Sequence, residues 1–377
     1  MKRTILFMID SLNCGGAEKS LVSLLPLLNY SKYDVDLMIT RRGGVFEGFI
    51  DSRVKIVNFS EQQKVIAVFA RFLFSLLLRI RKNIHAAELK WSSTCWSYKP
   101  LKKEYDVAIA YQQGFPTYFI AKKVHAKKKI AWVNVNIFNA NYRFHFNQKF
   151  YNYFNRIVPV SNELLKILQK NYPQFQEKYR CIYDVVNPLF IGQCVDKGIK
   201  LPVLQNKIVT VGRMEHQKNY PLAVETAKIL KGYGLDFKWY FVGDGSDRKQ
   251  VESLINNYQL DNYIELIGMT PNPYPYIAAA DIYVQTSRFE GFGLTIAEAK
   301  ILKKPIVSTN FDVVHDQIEH GKNGLIADMT AESLAQNILK LFNDSTLRDS
   351  IISNLKSEEN TTYITEIKKV EQLLDEY

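Results

Sequence analysis

Short apolar runs recur along the chain, and between them lie stretches of helical periodicity. The runs ILFMI (5–9), VDLMI (35–39), VKIVNF (54–59), VAIAY (107–111), KIAWV (129–133) and RIVPVS (156–161) have the length and β-branched content of buried parallel strands. A second series follows: KIVTVGR (207–213), KWYFVGDG (238–245), IELIG (264–268), DIYVQTS (281–287) and PIVST (305–309). Between them, segments such as PLAVETAKILKGYG (221–234), with its glycine stop, read as helices. This is an α/β pattern run through twice, and it predicts two Rossmann-like, doubly wound domains facing across a cleft. The strand-poor stretch around 188–206 marks the boundary. The expected division is 1–190, 191–355 and a charged terminal helix, 356–377, packing back on the N-terminal domain.

Length agrees, since 377 residues exceed one ordinary core. The four cysteines, Cys14, Cys95, Cys181 and Cys194, have neither zinc-site nor disulfide-framework spacing, which suits a reducing cytoplasm. The N-terminal apolar run is too short for a signal peptide and meets Asp10 at once, so it reads as a strand. Charge changes the picture more. The net +11 divides into +16 over residues 1–190 and −5 over 191–377. A basic N-terminal half suits nucleic acid, anionic lipid or a phosphorylated substrate. No nucleic-acid-binding motif is present, so nucleic acid is not an expected partner.

Ligands of doubly wound sheets bind beyond the carboxyl ends of the strands, so the residues just after each strand hold the candidate chemistry. After the first strand, Gly15 and Gly16 open a helix whose N–H groups suit a phosphate, although a tight turn explains them as well. They do not complete a G-x-G-x-x-G fingerprint. After strand 207–213, Arg213 and Lys218 place two cations on one loop, a fit for a diphosphate. The most specific stretch is SRFEGFGLTIAEA, where seven residues separate Glu290 from Glu298. The glycine-bearing loop Gly291-Phe292-Gly293 opens a helix, so the N–H groups of Gly293, Leu294 and Thr295 point into the cleft. A carboxylate accepts two hydroxyls of a vicinal diol, so one carboxylate per sugar is coherent: Glu298 for a ribose and Glu290 for the sugar beyond a diphosphate. The competing reading makes Glu298 a helix-surface residue and Glu290 a loop charge.

The run FEGFGLTIAEA, the GR…QK loop and the N-terminal GGAE together resemble family 4 retaining glycosyltransferases of the GT-B fold, whose signature is E-x7-E. The likeness continues through YDVAIAY, KIAWV, IVPVSN, VVNP, FVGDG, NPYPYI and KKPIVST…GKNGLIA, and is greatest to bacterial enzymes of surface-polysaccharide synthesis. It implies a nucleotide diphosphate sugar as donor, with no further cofactor and no metal. Arg213 and Lys218 would hold the donor diphosphate, Glu298 the ribose and Glu290 the sugar near its reacting carbon. Gly15, Gly16, the Gly291–Gly293 loop, Leu294 and Thr295 would complete the donor site, with Glu290, Arg213 and Lys218 as the catalytic set. Where the family often has a histidine after the KIAW strand, this chain has Asn134, which can hydrogen-bond a sugar hydroxyl but cannot exchange protons near neutral pH. His145 is a possible substitute or a structural residue. The alternative is a non-catalytic partner of the same fold that regulates another transferase.

Asp34-Val-Asp36 matches a metal-binding D-x-D but lies at the start of a strand, away from the ligand edge. The resemblance also implies a glycan or polyprenyl-diphosphate-linked acceptor at the cytoplasmic face of the membrane. In the segment 64–82, Lys64, Arg71, Ser75, Arg79 and Lys82 share one face of an otherwise apolar helix. Its longest uncharged run is far short of the ~20 residues that span a bilayer, and the segment reads as an interfacial helix or as a core helix with a solvated stripe. Lys122-Lys123 and Lys127-Lys128-Lys129 are further candidates for lipid contact.

Overall fold

The computed structural model describes residues 2–13, 15–58, 68, 72–77, 84–138, 140, 142–196, 206–358 and 362–376. Most of segment 64–82 therefore lies outside the described residues. The chain forms two compact units, one of residues 1–185 with 364–377 and one of residues 186–363.

The first unit holds a sheet of six strands: β1 (Arg3–Ser11), β2 (Tyr33–Arg41), β3 (Lys55–Val57), β4 (Tyr105–Ala110), β5 (Ala126–Val133) and β6 (Arg156–Pro159). The second holds β7 (Lys207–Val211), β8 (Lys238–Val242), β9 (Ile264–Gly268), β10 (Ile282–Gln285), β11 (Ile306–Thr309) and β12 (Leu325–Ala327). Their orders, β3-β2-β1-β4-β5-β6 and β12-β11-β10-β7-β8-β9, are the same winding met from opposite edges. Every pairing is parallel. Parallel strands need helical crossovers, and the helices cover both faces. That is why Ile5 through Ile9 are all buried rather than alternating, as are Trp239 through Val242.

Eleven of these twelve strands coincide with the apolar runs; β12 does not, being three residues within GKNGLIA, too short to show periodicity. A close approach fixes the ends of β7 and β8. Gly243, at φ 151°, lies so near the loop after β7 that a Cβ there would stand 1.8 Å from the Gly212 carbonyl oxygen.

Asp36 of the D-x-D is engaged by the fold through one oxygen. It is buried within β2, where one carboxylate oxygen accepts from Lys103 Nζ at 2.8 Å and Tyr105 Oη at 2.7 Å. Among the described residues no cluster of three or more His, Cys, Asp or Glu could hold a metal ion, and no helix is long and apolar enough to cross a membrane.

The helix Thr362–Asp375 belongs with the first unit from residue 364 onward, whereas the helix Ser345–Ser357 before it belongs with the second. It lies against the amino ends of the first sheet. Arg3 Nη1 donates to Leu374 O at 2.8 Å, Tyr33 Oη donates to Asp375 at 3.1 Å, and Arg156 Nε donates to Glu376 at 2.9 Å. The nearly buried Lys128 donates to Leu373 O at 2.6 Å and pairs with Glu376 at 3.1 Å. Lys129 donates to Ala121 O at 3.0 Å, and Lys127 pairs with Asp106 at 2.7 Å. Of the lysine run expected to meet lipid, Lys128 and Lys129 are thus committed to the fold.

Candidate functional site

In the second sheet β7 and β10 are neighbours, although β8 and β9 come between them in the chain. The winding reverses here, and it is beyond the carboxyl ends of the strands at such a reversal that doubly wound sheets bind their ligands. Sequence reasoning placed Arg213, Lys218, Glu290 and Glu298 on these two loops and the helix that follows.

The loops are stitched together. Arg288 N donates to Gln217 O at 2.8 Å, Thr286 Oγ1 to Lys218 O at 2.8 Å, and Gln217 Nε2 to Phe289 O at 3.0 Å. Lys218 is thereby brought to Glu290: Nζ stands 2.6 Å from Oε1, with the side chains only 17% and 8% exposed. The same oxygen accepts from Gln285 Nε2 at 2.9 Å and Ser287 Oγ at 2.6 Å, while Oε2 accepts from Gln217 Nε2 at 3.1 Å. These bonds offset the desolvation of a drying ion pair, and removing one partner would strand the other. Glu290 is therefore not a free loop charge.

Beyond it the loop residues Gly291, Phe292 and Gly293 are buried. Gly293 turns with φ 87° and starts the helix Leu294–Ile301 without a side-chain cap. Gln317 Nε2 holds the turn from behind, donating to the carbonyls of Phe292 and Gly293. The first N–H groups, at Leu294 and Thr295, have no acceptor within the helix, and the positive end of the helix dipole coincides with them. Glu298, in the second turn, is 1% exposed and accepts from Tyr274 Oη at 3.0 Å. It is not a surface residue of the helix. Burial first, and the charge of Glu298 next, raise the Tyr274 phenol far above its ordinary pKa, so it remains a donor.

Arg213 is not drawn into this network. Its side chain is 54% exposed and lies 3.4 Å from Glu215. Gly15, Gly16 and Asn134 belong to the first unit. Gly15 caps the helix Gly16–Leu24, and the Glu18 carboxylate folds over it, close enough to overlap any Cβ at Gly15. Asn134 follows β5 and is buried. Its backbone N–H donates to Gln113 Oε1 at 3.0 Å, yet neither side-chain amide atom has a hydrogen-bond partner among the described residues. His145 is exposed, edge-on to Phe144 at 4.9 Å. At the same end of the first unit Asp184 is also buried, with Oδ1 unpartnered. Burial pushes its carboxyl up to about 7, although a hydrogen bond from Ser20 acts the other way.

Sequence reasoning missed Gln217, Tyr274, Gln285 and Gln317. One signal was available: a glutamine ending the otherwise apolar run IYVQ is a buried polar group that needs partners.

This geometry is that of a GT-B protein, two parallel-sheet α/β units of six strands each. The structure of Anabaena HepE in complex with UDP and glucose superposes with a TM-score of 0.73 at 17% identity, covering 100% of both chains. The family described as Glycosyl transferases group 1 matches residues 196–358. Over 353 residues the chain is 24% identical to the N-acetylgalactosamine-N,N'-diacetylbacillosaminyl-diphospho-undecaprenol 4-alpha-N-acetylgalactosaminyltransferase of Campylobacter jejuni, covering 93% of each. It is 31% identical over 160 residues to the poly(ribitol-phosphate) alpha-N-acetylglucosaminyltransferase of Staphylococcus aureus, a match spanning 41% of this chain and 32% of that protein.

Proposed function

We propose that the chain is a family 4 retaining glycosyltransferase that moves a sugar from a nucleotide diphosphate donor to a glycan acceptor in bacterial surface-polysaccharide synthesis. The observation that carries this reading is the meeting of Lys218, Glu290 and the uncapped helix start after Gly293 at the switch point between β7 and β10. Lys218, with Arg213 at the rim, stabilises charge growing on the departing diphosphate, and the N–H groups of Leu294 and Thr295 add fixed dipoles. Glu298 takes the ribose hydroxyls. Glu290 Oε2, with one bond from the chain, faces the sugar. The acceptor oxygen attacks the anomeric carbon on the face from which diphosphate leaves. Its proton passes to a departing phosphate oxygen, so the scheme needs neither a protein base nor a metal.

Hydrolysis of UDP-glucose, UDP-N-acetylglucosamine and UDP-N-acetylgalactosamine tests this, with UDP binding followed by calorimetry. Lys218→Ala should lower turnover of the accepted donor by roughly 10²-fold, the loss typical of removing one preorganised charge contact. Unchanged turnover at saturating donor would refute the role. A non-catalytic partner would bind UDP without turnover; the assembled ion pair gives that reading less support.

The acceptor falls to the basic first unit, and a polyprenyl-diphosphate-linked glycan at the inner membrane face fits its charge. Supporting this, Trp96 and Tyr153 are 44% and 46% exposed. Tyr153 also lines a groove with Trp91, Phe146, Phe150, Lys122 and Lys149. Aromatic and cationic side chains of this kind favour a lipid headgroup region. Sedimentation with anionic but not neutral vesicles, reversed by salt and reduced by Trp96→Ser with Lys149→Glu, is the expected result.

A further inference from the structure

Gln285 ends β10 beneath the Lys218–Glu290 pair and is 1% exposed. Its orientation is settled by chemistry. Nε2 faces the Glu290 carboxylate at 2.9 Å and Ser287 Oγ at 2.6 Å, while Oε1 accepts from the Tyr283 hydroxyl and from Thr295 Oγ1 at 3.1 Å. The reverse placement would set a carbonyl oxygen against a carboxylate. Thr295 belongs to the first turn of the helix Leu294–Ile301. A single buried amide therefore bridges the carboxylate that holds the Lys218 ammonium and the helix start that offers N–H groups.

We propose that Gln285 is a positioning residue for the transfer, fixing the Lys218–Glu290 pair and the N-terminus of the helix Leu294–Ile301 in one frame so that both meet the departing diphosphate together. Glu290 Oε1 accepts three bonds, from Lys218, Gln285 and Ser287, so that oxygen is committed to the chain rather than to a sugar. Losing the Gln285 bond leaves the carboxylate held by Ser287 and Gln217 alone, so it and the ammonium are positioned less tightly. The helix start, losing its tie at Thr295, shifts independently. Charge on the diphosphate grows only as its bond to sugar breaks, so misalignment is felt mainly in the transition state. The inference rests on the donor reading of this site.

Two variants test it, assayed by hydrolysis of whichever of the three UDP-sugars the wild-type chain accepts. Gln285→Leu removes both halves of the bridge and should lower kcat roughly 10-fold or more, with donor KM changed far less. Gln285→Glu keeps the shape but sets two carboxyl groups together, and one must hold a proton for the bond to survive. Its kcat should approach wild type at acidic pH and fall as pH rises, a slope absent from the wild type. A structural role alone would lower thermal stability without that slope or the split between kcat and KM. Unchanged kcat in Gln285→Leu, or parallel pH profiles for wild type and Gln285→Glu, overturns the inference while the wild type's own hydrolysis upholds the donor reading. A wild-type chain that neither binds UDP nor hydrolyses these donors overturns both.

Discussion

The two glutamates of E-x7-E stand in different surroundings, and their loss should be felt differently. Glu298 is paired with Tyr274 and is assigned to a ribose that does not change during reaction, so Glu298→Ala should chiefly raise donor KM. Glu290 is bound to the ammonium beside the reacting bond, so Glu290→Ala should chiefly lower kcat. Steady-state kinetics on the two variants separates these outcomes, and reversed signatures would exchange the assignments. Asp184 supports a prediction of another kind. Its carboxyl is raised to about 7 in the folded chain from an ordinary value of 3.8, so the folded state holds a proton that the unfolded state has released. Stability should therefore be full below pH ~4 and decline as pH rises to ~7, by at most roughly 4 kcal/mol. Thermal denaturation of Asp184→Asn should lose this slope. These residues were not equally legible. Lys218, Glu290 and Glu298 carry a spacing that chemistry can read, whereas Tyr274 reaches the site from the start of the helix Tyr274–Ala279 and Gln317 from the loop after β11. Asp184 is one carboxylate within the run CIYDVV, and nothing local says what the fold sets around it.

Among the elements, buried parallel strands were legible because they are continuous apolar runs, and the helix after Gly293 because a glycine turn precedes it. What no run discloses is where backbones touch. Gly243 at the end of β8 sits against the Gly212 carbonyl, so Gly243→Ala should separate the loops after β7 and β8. Since the loop after β7 carries Lys218, both thermal stability and donor binding should fall. Differential scanning fluorimetry with and without UDP reads both. A variant with unchanged melting temperature and an unchanged UDP-induced shift would refute this account. The interfacial reading of segment 64–82 falls mostly on residues outside those described, while of the lysines of β5 Lys128 serves the terminal helix and Lys129 the neighbouring helix end. A charge run in sequence does not say which charges face inward.

For the whole molecule, the chain crosses between its units twice, near 185 and again near 363. Ending the chain after residue 361 should lower the melting temperature markedly, because Lys128 and Arg156 would lose Glu376 and the burial of Val370, Leu373 and Leu374 would be lost. Glu376→Ala should show a smaller loss in the same direction. Equal melting temperatures for the shortened and full chains would contradict this. The second crossing also bears on how the protein is made. The second unit, residues 186–363, is continuous and can close as soon as it emerges from the ribosome. The first unit is translated earlier but finishes later, since its sheet, whose last strand ends at Pro159, waits for a helix that begins at Thr362. Until then Arg3, Tyr33, Lys128 and Arg156 are a charged, unfinished edge. A nascent chain stalled near residue 360 should therefore engage chaperones through its first half while its second half already resists protease.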